Sequence, residues 1–393
     1  MKLRKIADDV WLGGAVDWER RLFDALIPLP EGTSYNAYLV QGTEKTVLID
    51  AVDLAKIDIL MEQLESAPKL DYIVSQHSEQ DHSGSIPALL EKYPEAKVLA
   101  SPQGRTYLID LLNLPPEKVT AIKDGETLSL GGKTLRFLTT PWVHWPDTMC
   151  TFLEEDRILF TCDFFGSHLA ASETYATDER RVYTAAKLYY AQIMMPYAKQ
   201  AAKNIEKVAP LQPAIVAPSH GPLFDQPAFI VDAWKEWTSA PPKNQAVIAY
   251  VSMHESTRKM AERLTTALVA RGVRTEVFDL TVTDLGRLAM ALLDSATLIL
   301  GSPAVLNGPH PIAAQAALLA NALKPKVRFA SAFGSYGWGV KALEGIPALL
   351  PDLGAEFIPP VFCKGLPKEP DFQALEKLAE TITERHKNAT LGV

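Results

Sequence analysis

The stretch Gln76-His77-Ser78-Glu79-Gln80-Asp81-His82-Ser83-Gly84 gathers four metal-competent side chains within six positions. Two imidazoles and two carboxylates so close together repel or titrate one another unless a cation sits among them, so the stretch reads as a ligand cluster. It follows the apolar run Leu70-Asp71-Tyr72-Ile73-Val74, a strand by pattern, and precedes helical spacing from Ser83 through Ile86, Leu89 and Leu90 to Tyr93. A loop between strand and helix can bring alternate residues to one point, whereas a continuing strand would divide them between two faces.

Three further strand ends offer the same kind of side chain. His144 lies in the loop Pro141-Trp142-Val143-His144-Trp145-Pro146-Asp147, after a meander of 126–130 and 133–140 about a Gly131-Gly132 turn. Asp163 leaves the hairpin of 149–153 and 157–161, and His220 follows the strand 213–218. The inventory is four imidazoles (His77, His82, His144, His220) and three carboxylates (Glu79, Asp81, Asp163). These donors exceed what one tetrahedral zinc needs, so two metals are implied, with Asp163 best placed to bridge them. A mixed nitrogen and oxygen set without thiolate suits iron, manganese or zinc, and its share of carboxylate tilts it towards iron.

Loops at one edge of a β-scaffold must hold such a site. Strands at Val10-Trp11-Leu12, Asn36-Ala37-Tyr38-Leu39-Val40 and Thr46-Val47-Leu48-Ile49-Asp50, split by turn residues, predict an antiparallel meander. Residues 53–66 have helical spacing, 97–100 read as a strand, and helical segments are expected between 179 and 208. At Ser239-Ala240-Pro241-Pro242-Lys243-Asn244 a Pro-rich linker intervenes. Beyond it, strands at 246–251, 275–280, 297–300, 327–330 and 356–360 alternate with helices at about 256–271, 284–293, 311–323, 340–350 and 371–387. This α/β alternation predicts a doubly wound, parallel, five-stranded sheet.

Three strand ends of that second half form a candidate cofactor edge. Ser252-Met253-His254-Glu255-Ser256-Thr257 opens a helix with hydroxyls and backbone N–H groups that suit a phosphate. Pro303-Ala304-Val305-Leu306-Asn307-Gly308 is the second, and Ser331, Phe333, Gly334, Ser335, Tyr336, Gly337 and Trp338 belong to the third. Glycines let backbone approach a flat ring there, and Tyr336 or Trp338 could stack on it.

The 393 residues suffice for two ordinary domains, and a net charge of −8 argues against nucleic acid or an anionic membrane as partner. Cys150, Cys162 and Cys363 form no CxxC pair, so neither a disulfide framework nor a Cys-type zinc site is expected. No signal-like N-terminus and no membrane-length apolar run occur, and the expected location is cytoplasmic.

His77-x-Glu79-x-Asp81-His82, with His144, Asp163 and His220 downstream, resembles the di-iron variant of the metallo-β-lactamase fold, an αββα sandwich. Zinc hydrolases of that fold usually carry His where this chain has Glu79. By that resemblance His77, Glu79 and His144 hold one iron, Asp81, His82 and His220 the other, and Asp163 bridges. Tyr197 and Trp145 are candidate groups beside the metals. The three loops of the second half resemble the FMN-binding loops of flavodoxins, with Ala304-Val305-Leu306 departing from the Thr and more polar stretch usual there. A metallo-β-lactamase-like domain over 1–240 and a flavodoxin-like domain over 245–393 together resemble the flavodiiron proteins. That resemblance implies an oxidoreductase reducing O2 to water and/or NO to N2O at a non-haem di-iron site, with electrons delivered through FMN. It also implies a head-to-tail homodimer or dimer of dimers, and an electron donor such as rubredoxin or a flavin reductase. Two other readings are a two-zinc hydrolase with a flavodoxin-like binding module, against which Glu79 speaks, and an electron carrier with a vestigial metal site, against which the complete donor set speaks.

Overall fold

The computed structural model describes residues 2–67 and 69–392. The chain divides into two compact units, one of residues up to Tyr190 together with Tyr197–Thr238, the other of Ala191–Pro196 together with residues from Ser239 onwards.

In the first unit, strands Arg4–Ala7, Val10–Asp17, Thr33–Gln41, Thr46–Ile49, Tyr72–Val74, Lys97–Ala100 and Val119–Ala121 pair in chain order. The first four run antiparallel, and the last three continue in parallel from Thr46–Ile49. Parallel neighbours need crossovers. Helices Ile57–Gln63, Ile86–Lys92 and Pro102–Leu112 supply them and bury Leu60, Ile86, Leu89 and Leu108 against Leu48, Ile73 and Val98. A second sheet orders Thr127–Ser129, Thr134–Thr139, Met149–Leu153, Ile158–Cys162 and Ile215–Pro218, the last pairing in parallel. The inner faces of the two sheets share one core, where Val10, Val40, Ile49 and Val74 meet Phe137, Met149, Leu153 and Phe160. Met149–Leu153 and Ile158–Cys162 are buried at every position, so their outer face is covered as well. This is the αββα sandwich, with every donor-bearing loop leaving a strand's carboxyl end.

The helix Pro102–Leu112, the strand after it and the helix Pro227–Ser239 were not expected from spacing. The first of these carried a signal: Ser101 caps it by accepting from Gly104 N, and Pro102 stands at its first position. Likewise the helix expected from Ser83 begins at Ile86, and a separate helical turn occupies Gln80–Ser83.

The second unit is a parallel sheet in the order Arg274–Asp279, Lys243–Tyr250, Ser295–Gly301 and Phe329–Tyr336. Two short strands, Glu356–Phe357 and Val361–Lys364, then pair with successive parts of Phe329–Tyr336. They occupy one fifth position, broken where Pro359-Pro360 has no N–H to donate. Helices cover both faces over two separate cores. The helix expected at 340–350 is divided into Lys341–Glu344 and a 3-10 turn Ile346–Leu349, where Gly345 and Pro347 interrupt it. Among the described residues no helix is long and apolar enough to cross a membrane.

Candidate metal centre and cofactor edge

Around Glu79 the backbone is extended, which keeps His77 and Glu79, two residues apart, on one side. The chain then winds into the turn Gln80–Ser83, whose geometry swings Asp81 and His82 to the other side. Ser83 Oγ donates to the carbonyls of Ser78 and Glu79 (2.7 and 2.9 Å) and fixes that change of direction. His144 hangs from a loop cinched by Thr148, whose Oγ1 donates to the carbonyls of Thr140 and Trp145. Asp163 follows Cys162, which adopts a left-handed φ of 52°. His220 sits between Asn36, which holds Pro218 O and Gly221 O, and Gly221 (φ 82°), where a Cβ would lie 2.1 Å from Ser167 Oγ.

These seven side chains converge as two clusters, His77, Glu79, His144 and Asp163 in one and Asp81, His82 and His220 in the other, and the second oxygen of Asp163 also faces the second cluster. In the first, Glu79 Oε2 lies 3.1 Å from both His77 Nε2 and His144 Nε2, and Asp163 Oδ2 lies 3.6 and 3.4 Å from the same nitrogens. In the second, Asp81 Oδ2 lies 3.2 Å from His82 Nε2 and 3.1 Å from His220 Nε2, and Asp163 Oδ1 lies 3.0 and 3.4 Å from them. Donors about 2.1 Å from a common centre at 90–120° stand roughly 3.0–3.6 Å apart, so the spacing is that of two coordination spheres. The carboxylate oxygens of Asp81 and Asp163 are all buried, and among the described residues no hydroxyl, amide or backbone N–H donates to them; they face only the imidazole nitrogens. Buried carboxylates are not left so without a cation. The electrostatics agree. Burial opposes protonation of His82, yet the charges of Asp81 and Asp163 push it up to about 10. Against the same opposition, hydrogen bonding to Asp163 and Glu79 takes His144 up to about 9. The donor set therefore fits a pair of metal ions.

Trp145 lies beside the donors, its ring edge-on to His77 at 4.9 Å and to His144 at 6.2 Å. Tyr197 instead stacks on Trp142 at 5.8 Å, so its recorded contact is with an aromatic ring and not with a donor. Sequence reasoning missed three groups. Asp147 accepts from His77 Nδ1 and from Ser78 N and Oγ. Asp50 accepts from Gln76 N, Gln76 Nε2 and Ser219 Oγ, tying the first ligand loop to the last. His168 packs on His220 at 4.7 Å and, through Nδ1, meets Thr33 Oγ1 at 2.9 Å. Burial, and then the neighbouring His220, hold it well below the usual imidazole range. Asp50 stands at a strand's carboxyl end, the rule that picked out the donors; nothing in the sequence marked His168.

In the second unit three adjacent parallel strands bring the loops after Tyr250, Gly301 and Tyr336 to one edge. In the first loop Glu255 has φ 67°, Ser252 Oγ accepts from Arg258 N, and the helix starts at Ser256 with Thr257 buried. Met253 and His254 lie in the turn, Met253 half exposed. The second loop is a hairpin of Ala304–Val305 and Gly308–Pro309, preceded by Pro303, with Leu306 and Asn307 at φ 52° and 60° as in a type I′ turn. The third carries Ser335, Tyr336, Gly337 and a Trp338 ring that is 84% exposed. Gly334 is required there, because a Cβ would come within 1.9 Å of Ser302 O. Phe333 pairs with Gly301 at this end of the sheet, and Ser331 lies two residues before it. The strand runs on to Tyr336, so Ser331 is buried within the sheet and Phe333 within its core.

A family profile described as "ODP family beta lactamase" matches residues 33–221, the stretch that holds all seven donors. The chain is 35% identical to "Rubredoxin-oxygen oxidoreductase" of Megalodesulfovibrio gigas, over 97% of this chain and 98% of that one. It is 34% identical to "Nitric oxide reductase" of Moorella thermoacetica, over 97% and 98%. The crystal structure of the flavodiiron protein from Giardia intestinalis matches with a TM-score of 0.91 and 25% identity, over 99% of this chain and 97% of that one. Fold and site thus define a β-lactamase-type metal domain followed by a flavodoxin-like domain. The chain belongs to the flavodiiron protein family.

Proposed function

We propose that this protein reduces O2 to water and/or NO to N2O in the cytoplasm, with two iron ions and FMN as cofactors. The observation that carries this reading is a four-donor cluster, His77, Glu79, His144 and Asp163, beside a three-donor cluster, Asp81, His82 and His220, with Asp163 Oδ1 3.0 and 3.4 Å from the two imidazoles of the second. Its family relatives bear the names of an oxygen oxidoreductase and a nitric oxide reductase. When bound, a ferrous pair supplies two electrons and reduced FMN two more, matching the four that O2 and four protons need for two waters, or the two that 2 NO and two protons need for N2O and water.

The residues do the rest. His77, Glu79, His144 and Asp163 Oδ2 would hold one ion, and Asp81, His82, His220 and Asp163 Oδ1 the other. Glu79 contributes oxygen where a zinc hydrolase has nitrogen, which disfavours the hydrolase. Burial excludes water from most of the site; His144 and Glu79 keep the most exposure, 17% and 11%, so a diatomic enters on their side. Trp145 walls the His77 edge. Ser252, Ser256 and the helix N-terminus would take the FMN phosphate, and Trp338 or Tyr336 its ring. Three buried thiols without a disulfide suit a reducing compartment. Electrons come from a donor such as rubredoxin or a flavin reductase, and a head-to-tail homodimer, or a dimer of such dimers, brings one subunit's flavin to its partner's metals.

Anaerobic stopped-flow of the fully reduced protein against each gas tests the reading. Rapid flavin and iron reoxidation by at least one gas is expected; oxidation by neither overturns it.

A further inference from the structure

The four imidazoles of the metal centre are not held alike. His77 turns Nε2 towards Glu79 and Asp163, and its Nδ1 lies 3.2 and 3.3 Å from the two oxygens of Asp147. That carboxylate is 1% exposed. It also accepts from Ser78 N at 2.8 Å and Ser78 Oγ at 2.6 Å, and Ser101 Oγ pins the Asp147 carbonyl at 2.7 Å. Across the site, His220 Nδ1 donates to a neutral acceptor, Ser34 O, at 2.6 Å. His82 Nδ1 has no hydrogen-bond partner among the described residues. An imidazole can ligate through Nε2 only while its proton sits on Nδ1, and a carboxylate behind Nδ1 both fixes that tautomer and makes the ring a stronger donor.

We propose that Asp147 is a positioning residue that makes the His77 half of the metal centre the tighter-binding, stronger-donor half, so that the two ions are inequivalent from the protein's side. The inference rests on the reading that the two clusters hold a metal pair. It concerns which half depends on a charge placed behind a ligand.

Asp147→Asn is the informative change. Its carboxamide has one oxygen and one NH2. With the oxygen kept on Ser78 N–H, the NH2 faces His77 Nδ1 and drives the proton to Nε2, the wrong tautomer for ligation. If instead the oxygen serves His77, the NH2 opposes Ser78 N–H. The full-length protein, loaded anaerobically with iron, is measured for iron per chain, affinity by chelator competition, the Mössbauer spectrum of the pair, and FMN per chain as a check on folding. The expected result is about 10–100-fold weaker binding of one ion, the other keeping its wild-type affinity, with flavin content unchanged. Asp147→Ala should lose the same ion and regain it on addition of formate, but not of chloride.

Variants that keep both ions at wild-type affinity with an unaltered spectrum overturn the proposal. So does equal weakening of both ions, or an Asp147→Ala protein that formate fails to restore. Wild-type protein that binds no metal pair would overturn the underlying reading and this inference with it.

Discussion

Asp163 is the one side chain that belongs to both clusters, and substituting it separates a shared centre from two independent ones. Its Oδ1 faces His82 and His220 at 3.0 and 3.4 Å, and its Oδ2 faces His144 and His77 at 3.4 and 3.6 Å. Asp163→Asn leaves one oxygen for two pockets, since an amide NH2 has no lone pair to give. One ion should be lost and one retained. Asp163→Ala removes a donor from both, whereas Asp81→Asn affects only the second pocket. An ion present at a hundred times its dissociation constant stabilises the fold by about 2.7 kcal/mol. At roughly 2–4 °C per kcal/mol for a unit of this size, each occupied pocket adds roughly 5–11 °C to the melting temperature. The assay is iron per chain together with melting of the metal unit, with and without chelator. Wild type should lose two increments on chelation, Asp163→Asn one, and Asp163→Ala the least. An Asp163→Ala protein that still holds two ions and the full chelator-sensitive increment would refute the reasoning, because the shared carboxylate would then be incidental.

Other consequences concern the second unit. Gly334→Ala places a Cβ against Ser302 O and should cost about 1–3 kcal/mol while lowering flavin per chain and leaving iron per chain unchanged, by absorbance and metal analysis. Trp338→Ala removes a ring that is 84% exposed, so stability should move within about 0.5 kcal/mol while FMN affinity falls in a fluorescence titration. His386 bonds Thr297 Oγ1 and Asn244 Oδ1, and burial pushes its imidazole down to about 4. Its folded value lies below the unfolded one of about 6.5, so the unfolded chain takes the proton first; the stabilisation is complete above that pH and is lost as pH falls towards 4. On the order of 2 kcal/mol should disappear over that window after allowance for solvent screening, and urea titrations of His386→Gln should show a flatter pH dependence.

The layers of the fold were legible wherever periodicity and punctuation agreed. Alternating β and α patterns beyond Pro242 gave the parallel sheet because four helices there, Ser256–Val269, Leu285–Asp294, Pro311–Leu323 and Glu369–Asn388, are long enough to show their spacing. Strand ends were less legible when small residues carried the pattern. Phe329–Tyr336 reads Phe-Ala-Ser-Ala-Phe-Gly-Ser-Tyr, and its alanines, serines and glycine mimic loop composition. Small residues let this strand lie close to its neighbour, since a Cβ at Gly334 would come within 1.9 Å of Ser302 O. The expected strand therefore stops too early, and the side chains of Ser331 and Phe333 are buried along the part it leaves out.

The donors and their supports differ in legibility for a related reason. His77, Glu79, Asp81 and His82 announce themselves because four rare, mutually hostile side chains are adjacent in the chain, and only a cation resolves the conflict. Asp147 carries no such conflict in its own neighbourhood. It becomes meaningful only when folding brings His77, 70 residues earlier, against it. The same holds for Asp50, which reaches Ser219 across 169 residues. A ligand is thus written locally, as a clash of chemistry, whereas the group that orients it is written in topology. Any histidine ligand found by spacing therefore poses a second question that the sequence leaves open: what stands behind its other nitrogen. Here the answers are a carboxylate for His77 and a carbonyl for His220, an asymmetry invisible in the motif.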